Sequence, residues 1–273
     1  MVQTANMVTL KPQTLQAFED YIREAEEGMQ PSLRGESAFL ELESQRAQQV
    51  RQGHVVAQLW SGDWPVRIPN GLIHDWTGAA FLPDVTVEQV LSLVQNYDDH
   101  KNIYRPEVID SRLISREDND FRIFLRLLKK KIITVVLDTD HDVHYAAVEA
   151  KRWFCRSFTT RIAEVEDAGT PKERVLEPDT GYGFLWRLNS YWKFDGRKTG
   201  APPGEERRMA TRSGDGVYIE CRAISLTRDI PTGLGWIIEP IVRKLPQESL
   251  VHTLECTRKA LQKPAYVSPG PKP

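Results

Sequence analysis

Three stretches of the sequence concentrate residues that could do chemistry. The first, DTDHDVHYAAVE at 138–149, sets Asp138, Asp140, Asp142 and Glu149 at positions 1, 3, 5 and 12 of a calcium-loop template. Its glycine position is Val143, and a β-branched residue resists the sharp turn required there. His141 and His144, with the same aspartates, offer nitrogen and oxygen donors of the kind zinc accepts. No helix pair flanks the segment, so it reads as exposed turn and strand residues holding no metal. The second stretch, YDDHKNIY at 97–104, groups Asp98, Asp99, His100 and Tyr104. A histidine beside a carboxylate can serve as general base, yet no nucleophile or oxyanion donor accompanies it. The plainer reading is a polar helix terminus.

The third stretch, GFLWRLNSYWKF at 183–194, alternates strictly. Phe184, Trp186, Leu188, Ser190, Trp192 and Phe194 share one register; Leu185, Arg187, Asn189, Tyr191 and Lys193 share the other. Burying the four aromatics of the first register is worth roughly 20 kcal/mol gross at ~25 cal/mol per Å², so that face must be covered. Packed side chains or a bound apolar ligand could cover it. The opposite register meets Tyr218, Glu220, Arg222 and Arg228 of a later strand. It forms either a solvated outer face with cross-strand ion pairs, or a cavity wall in which Arg187, Asn189, Glu220 and Arg228 hold a polar head group. A slip of one residue exchanges the two faces, so both readings stand.

The chain contains no GxSxG, GxxxxGK[ST] or HExxH, and no strand-anchored GxGxxG. The glycines of TGLGW follow Pro231 and make a poor nucleotide loop. Nothing calls for a cofactor. With 36 basic against 38 acidic residues, the charge does not pull the molecule onto nucleic acid. Cys155, Cys221 and Cys256 fit neither a disulfide framework nor a CxxC site and read as small hydrophobes. The start lacks a signal-peptide pattern, and no apolar run is long enough to span a membrane. The expectation is a cytoplasmic protein, with export the alternative if the chain is a processed form.

The elements that must position these residues follow from periodicity. Leu15, Phe18, Ile22, Ala25 and Met29 predict a helix stopped at Pro31, and Phe39, Leu40, Ala47 and Val50 a second one stopped at Gly53. β texture starts at Val55. Thr86 and Gln89 form a capping box for a helix with Val87, Val90, Leu91, Val94 and Tyr97 on one face. Six β-rich stretches then follow with short connections, which implies antiparallel pairing. Residues 195–216 read as a long mobile excursion between two strands. Pro240 and Pro246 allow either one kinked C-terminal helix or two consecutive ones.

This order resembles the helix-grip architecture of the START-like (SRPBCC) superfamily. VEQVLSLVQNYDDHKNIYRPEVIDSRLI, GFLWRLNSYWKF with VYIECRAISLTR, and DIPTGLGWIIEPIVRKLPQESLVHTL carry the resemblance, which spans about residues 70–262. The chain also looks like a bacterial START-like group that shares a helical N-terminal extension. The resemblance implies an α+β fold in which a curved antiparallel sheet wraps a long C-terminal helix around an interior cavity. It implies a helical extension over 1–54, the main domain over 55–262 and a disordered tail over 263–273. It also implies binding of a lipid or other hydrophobic small molecule, and places His100 and Tyr104 near one end of the cavity. No catalytic residue carries over, because the superfamily has no universal catalytic motif.

The candidate lining residues are therefore Trp186, Trp192, Phe184, Arg187, Asn189, Tyr191, Glu220, Arg228, His100, Tyr104 and Trp236. Trp236 with Arg243 and Lys244 suits transient contact with a membrane, although a core-facing terminal helix explains the same residues. The expected function is non-catalytic binding or transport of the ligand. A cyclase- or hydrolase-type enzyme and a protein-interaction module with a packed cavity are the alternatives.

Overall fold

A computed structural model describes residues 7–41, 44–60, 65–130, 134–196, 216–229 and 235–262, with only the backbone course given at 235–243. The predicted excursion at 195–216 and the tail at 263–273 lie almost wholly outside the described residues. In chain order the elements are β1 (Val8–Thr9), α1 (Pro12–Leu33), α2 (Ser44–Arg51), β2 (Val56–Leu59), β3 (Val66–Ile68), β4 (Gly71–Pro83) and α3 (Val87–Val94). A 3-10 turn at Tyr97–Asp99 leads to α4 (His100–Ile103), β5 (Val108–Glu117), β6 (Asp120–Lys130), β7 (Thr134–Glu149) and β8 (Arg152–Glu166). Then come β9 (Arg174–Val175), β10 (Thr180–Gly181), β11 (Arg187–Asp195), β12 (Gly216–Arg228) and α5 (Gly235–Gln262).

The main sheet runs β2-β4-β12-β11-β8-β7-β6-β5, all antiparallel, with β3 also on β4 and β9 also on β8. The antiparallel expectation holds because each connection between β5 and β8 is short enough to close a hairpin. Two calls shift. The helix α1 passes through Pro31 to Leu33, since a proline two residues from a helix end disrupts few backbone bonds. The C-terminal segment is one helix, α5. The capping box of α3 forms as read: the Gln89 amide donates to Thr86 Oγ1 and the Thr86 amide to Gln89 Oε1.

One face of the sheet packs on α3 and α5, joining Trp76, Ala80, Val90, Phe121, Tyr145, Phe194, Ile219, Leu250 and Leu254. Gly78 allows the close approach of α5, because a Cβ there would lie 3.0 Å from both Leu250 and Leu254. The other face carries α1, whose Phe18, Ala25 and Met29 pack with Ile73, Tyr191, Ile224 and Leu226. Over β4, β12 and β11 the sheet is thus buried on both sides. Polar residues on its outer face are consequently enclosed and must find partners there.

Candidate functional site

Antiparallel partners share a face, so the register fixes which side chains look inward toward α5. One cross-sheet row runs Val143, Ser157, Ser190, Ala223, Trp76, and the next runs Tyr145, Cys155, Trp192, Cys221, Gly78. On the other side of the first row lie His141 with Thr159, and Leu188 with Ser225 and His74. Most of these positions are buried. Ser157, Leu188, Ser190, Trp192 and Ala223, however, stay only partly covered although they sit on the three central strands β8, β11 and β12. Inward residues at a sheet centre keep accessible surface only where the covering layer stands off from them. These five make an incompletely covered floor on the α5 side of the sheet.

Neutral polar groups surround that floor. His141 Nε2 lies 2.9 Å from Thr139 Oγ1, and its Nδ1 lies 3.4 Å from Ser157 Oγ. Tyr97 and Tyr145 join their hydroxyls at 2.9 Å. His100 contacts the Val94 carbonyl at 3.0 Å, stacks edge-on against Tyr104, and Tyr104 in turn reaches Thr257 Oγ1 on α5. Burial pushes His74, His100 and His141 each down to about 4, so all three are neutral at neutral pH. The same cause pushes Cys155 up to about 12 and raises Cys221, Tyr97 and Tyr145.

A separate cleft of about 380 Å³ opens at the far ends of β7 and β8, beside Val136, Glu164, Glu166, Tyr182 and Phe184. The Glu164 carboxylate accepts hydrogen bonds from the Tyr182 and Phe184 amides. A Cβ at Gly181 would fall 2.7 Å from that carboxylate, so glycine is needed for the loop to wrap it. Burial raises the Glu164 carboxyl despite those amides.

The sequence candidates divide accordingly. Trp192 is one of the partly covered inward residues, and His100 and Tyr104 are buried. Phe184 is 38% exposed at the cleft, because β11 begins only at Arg187 and the alternation read through 183–186 is broken there. Trp186 falls beyond the same break and packs in the outer cluster with α1. Arg187 pairs with Asp179, and Arg228 donates to the Tyr182 carbonyl. Asn189, Tyr191 and Glu220 stand on the outer face. Tyr191 donates to Glu26 of α1 at 2.9 Å, with the Asn189 amide 3.4 Å from the same hydroxyl. Glu220 accepts from the Glu41 amide and lies 3.7 Å from Lys193, whose ammonium also donates to Ser32 and Glu41. The odd register is therefore outward, as one reading had it, but sealed under the N-terminal extension and not solvated. The side chains of Trp236 and Arg243 lie outside the described residues.

The metal test also resolves by face. DTDHDVHYAAVE lies within the single strand β7, where His141 points inward and His144 outward, so no common cation can be held. Asp138 pairs with Arg126, and His144 with Asp120. Among the described residues no cluster of three His, Cys, Asp or Glu is placed to ligate a metal. The expectation of exposed turn residues fails for Asp138 and His141, which are buried. The inward role of His141 was legible in principle, since His141, Val143 and Tyr145 alternate as one strand face; the aspartates between them masked the pattern as a turn. Ser157 and Ser190 carry no signal of their own.

A curved antiparallel sheet has now been shown to close over one long C-terminal helix, with α3 and α4 inserted after β4. The fold is an α+β helix grip. No family model matches the chain, and no curated protein does either. Solved structures do. A STAR-related lipid transfer protein fragment from Xanthomonas axonopodis shares 16% identity, with 76% of this chain and 99% of that one covered and a TM-score of 0.44. The human StarD13 lipid transfer and protein localization domain shares 7%, covering 83% and 100%, at 0.41. The Zhui aromatase/cyclase from Streptomyces sp. R1128 shares 8%, covering 70% and 94%, at 0.40. These likenesses concern the fold. Among the described residues, no helix of this helix-grip chain is long and apolar enough to cross a membrane.

Proposed function

We propose that the helix-grip chain binds a hydrophobic small molecule or lipid in a hollow beneath α5, without covalent chemistry. The observation that carries this reading is the partly covered floor at Ser157, Leu188, Ser190, Trp192 and Ala223. Leaving a tryptophan and a leucine accessible inside a domain forgoes apolar burial of ~25 cal/mol per Å², and a guest restores it. Apolar walls desolvate the ligand and the surrounding hydroxyls and imidazoles orient it. The α1 side of the sheet is closed by its own ion pairs, so the ligand belongs on the α5 side.

A hydrolase-type reading draws on the contact of 3.4 Å between Ser157 Oγ and His141 Nδ1. An imidazole held at about 4 takes a proton weakly, and no carboxylate is bonded to its other nitrogen, which faces Thr139. The pair suits hydrogen bonding to a guest better than activation of a nucleophile. Native mass spectrometry of protein purified from its own host, followed by organic extraction, tests the binding reading. One lipid or metabolite should be recovered near one equivalent; repeated recovery of none would count heavily against a tight-binding carrier.

A further inference from the structure

We infer that the ligand of this hollow is uncharged at the end that meets the sheet, and that it carries a hydroxyl or carbonyl there. The inference rests on the binding reading above and narrows it to a chemical class. The inward positions of β4, β12, β11 and the adjoining halves of β8 and β7 are set by register and include His74, Trp76, His141, Ser157, Ser190 and Ala223. None is lysine, arginine, aspartate or glutamate. Inward charges on the described strands lie at the sheet's margins: Arg67 on β3, Arg116 at the end of β5 over the Phe121 ring, and the charged ends of β6, β7 and β8. Lys129 holds Glu107 and Ser249, Glu164 is wrapped by backbone amides, and Glu166 pairs with Arg174.

The sheet's charges are instead on its outer face, where Arg222 grips Asp75 at 2.6 Å and Lys193 grips Glu41 at 2.8 Å. The sequence is thus able to supply buried ion pairs, and it puts none at the floor. A carboxylate or phosphate seated there would lose hydration with no cation among the described floor positions to replace it, and an ammonium would equally lack an anion there. Serine and threonine hydroxyls and the two imidazole nitrogens of His141, by contrast, can both donate and accept. Ser157 faces the space directly with His141 behind it, which lets the pair adapt its proton to either a hydroxyl or a carbonyl.

The test is isothermal titration of the full chain near neutral pH with three probes of one chain length: decanol, decanoate and decyltrimethylammonium. Decanol should bind at least about tenfold more tightly than either ion, because only the ions bring an uncompensated charge. In Ser157→Ala, decanol should weaken by roughly 2- to 12-fold, the range of one hydrogen bond, while folding cooperativity is retained. If decanoate or the ammonium matches or exceeds decanol, the uncharged-ligand inference is wrong and the binding reading stands. If none of the three binds below its solubility limit, both fall.

Discussion

Acidification should destabilise the domain through three buried imidazoles. In the unfolded chain His74, His100 and His141 titrate near 6.5, whereas in the folded protein each is held at about 4. Between these values the unfolded state binds more protons, so stability is full above 6.5 and is lost as pH falls toward 4. At about pH 5 each histidine costs about 2 kcal/mol relative to about pH 8, together about 6 kcal/mol. Glu220 opposes this. Burial raises its carboxyl from 4.5 to about 7, so the folded state takes up its proton first and gains about 2 to 3 kcal/mol over the same interval. The net loss is therefore about 3 to 4 kcal/mol, a sizeable part of a typical domain stability of ~5 to 15 kcal/mol. Raised carboxyls at Asp195 and Glu164 act in the same direction as Glu220 and soften the fall further. Urea unfolding at the two pH values measures the difference. Replacing His141 or His100 by glutamine should flatten it by about 2 kcal/mol each, and Glu220→Gln should steepen it by a similar amount. Histidine variants with the wild-type pH dependence would refute the claim that these rings are buried and neutral, and with it the uncharged character of the hollow.

Other outcomes follow from the same geometry. Lys193→Met strands Glu41 and Glu220 under α1 and should cost about 3 kcal/mol in urea unfolding, part of it recovered by adding Glu220→Gln. Unchanged midpoints would show that the extension is not held by this cluster. Gly78→Val pushes a side chain into Leu250 and Leu254 and should lower stability by about 1 to 3 kcal/mol, read as an earlier thermal midpoint. Ala223→Trp fills the floor beside Ser190 and Trp76, so the co-purifying ligand should disappear from native mass spectra while the far-ultraviolet dichroism is kept. Thr86→Ala removes the α3 cap and should cost about 1 kcal/mol, with ligand stoichiometry unchanged.

The sequence by itself determined the parts governed by local rules. The capping box at Thr86 and Gln89, the Gly53 stop after α2 and the β texture from Val55 onward depend on neighbours a few residues away, and each appears where it was read. The alternation of Leu188, Ser190, Trp192 and Phe194 likewise fixed one face of β11 as the more apolar. Periodicity is a relative statement, however. It says which side chains travel together and not which side of the sheet meets α1 or α5. Tertiary structure alone settled that Arg187, Asn189, Tyr191 and Lys193 face outward and that α1, instead of water, covers Tyr191 and Lys193. The same applies to Trp186, read with Trp192 but released from its register by the loop at Gly183, whose φ of +73° breaks the strand. His141 and Ser157 stand on the two strands of one hairpin and Ala223 on a strand much later in the chain, so the floor they make had no signature in any one segment. Two-sided burial explains the rest: once α1 and α5 both cover the sheet, charged residues sort to the face that offers partners. The face without them is the one turned toward α5.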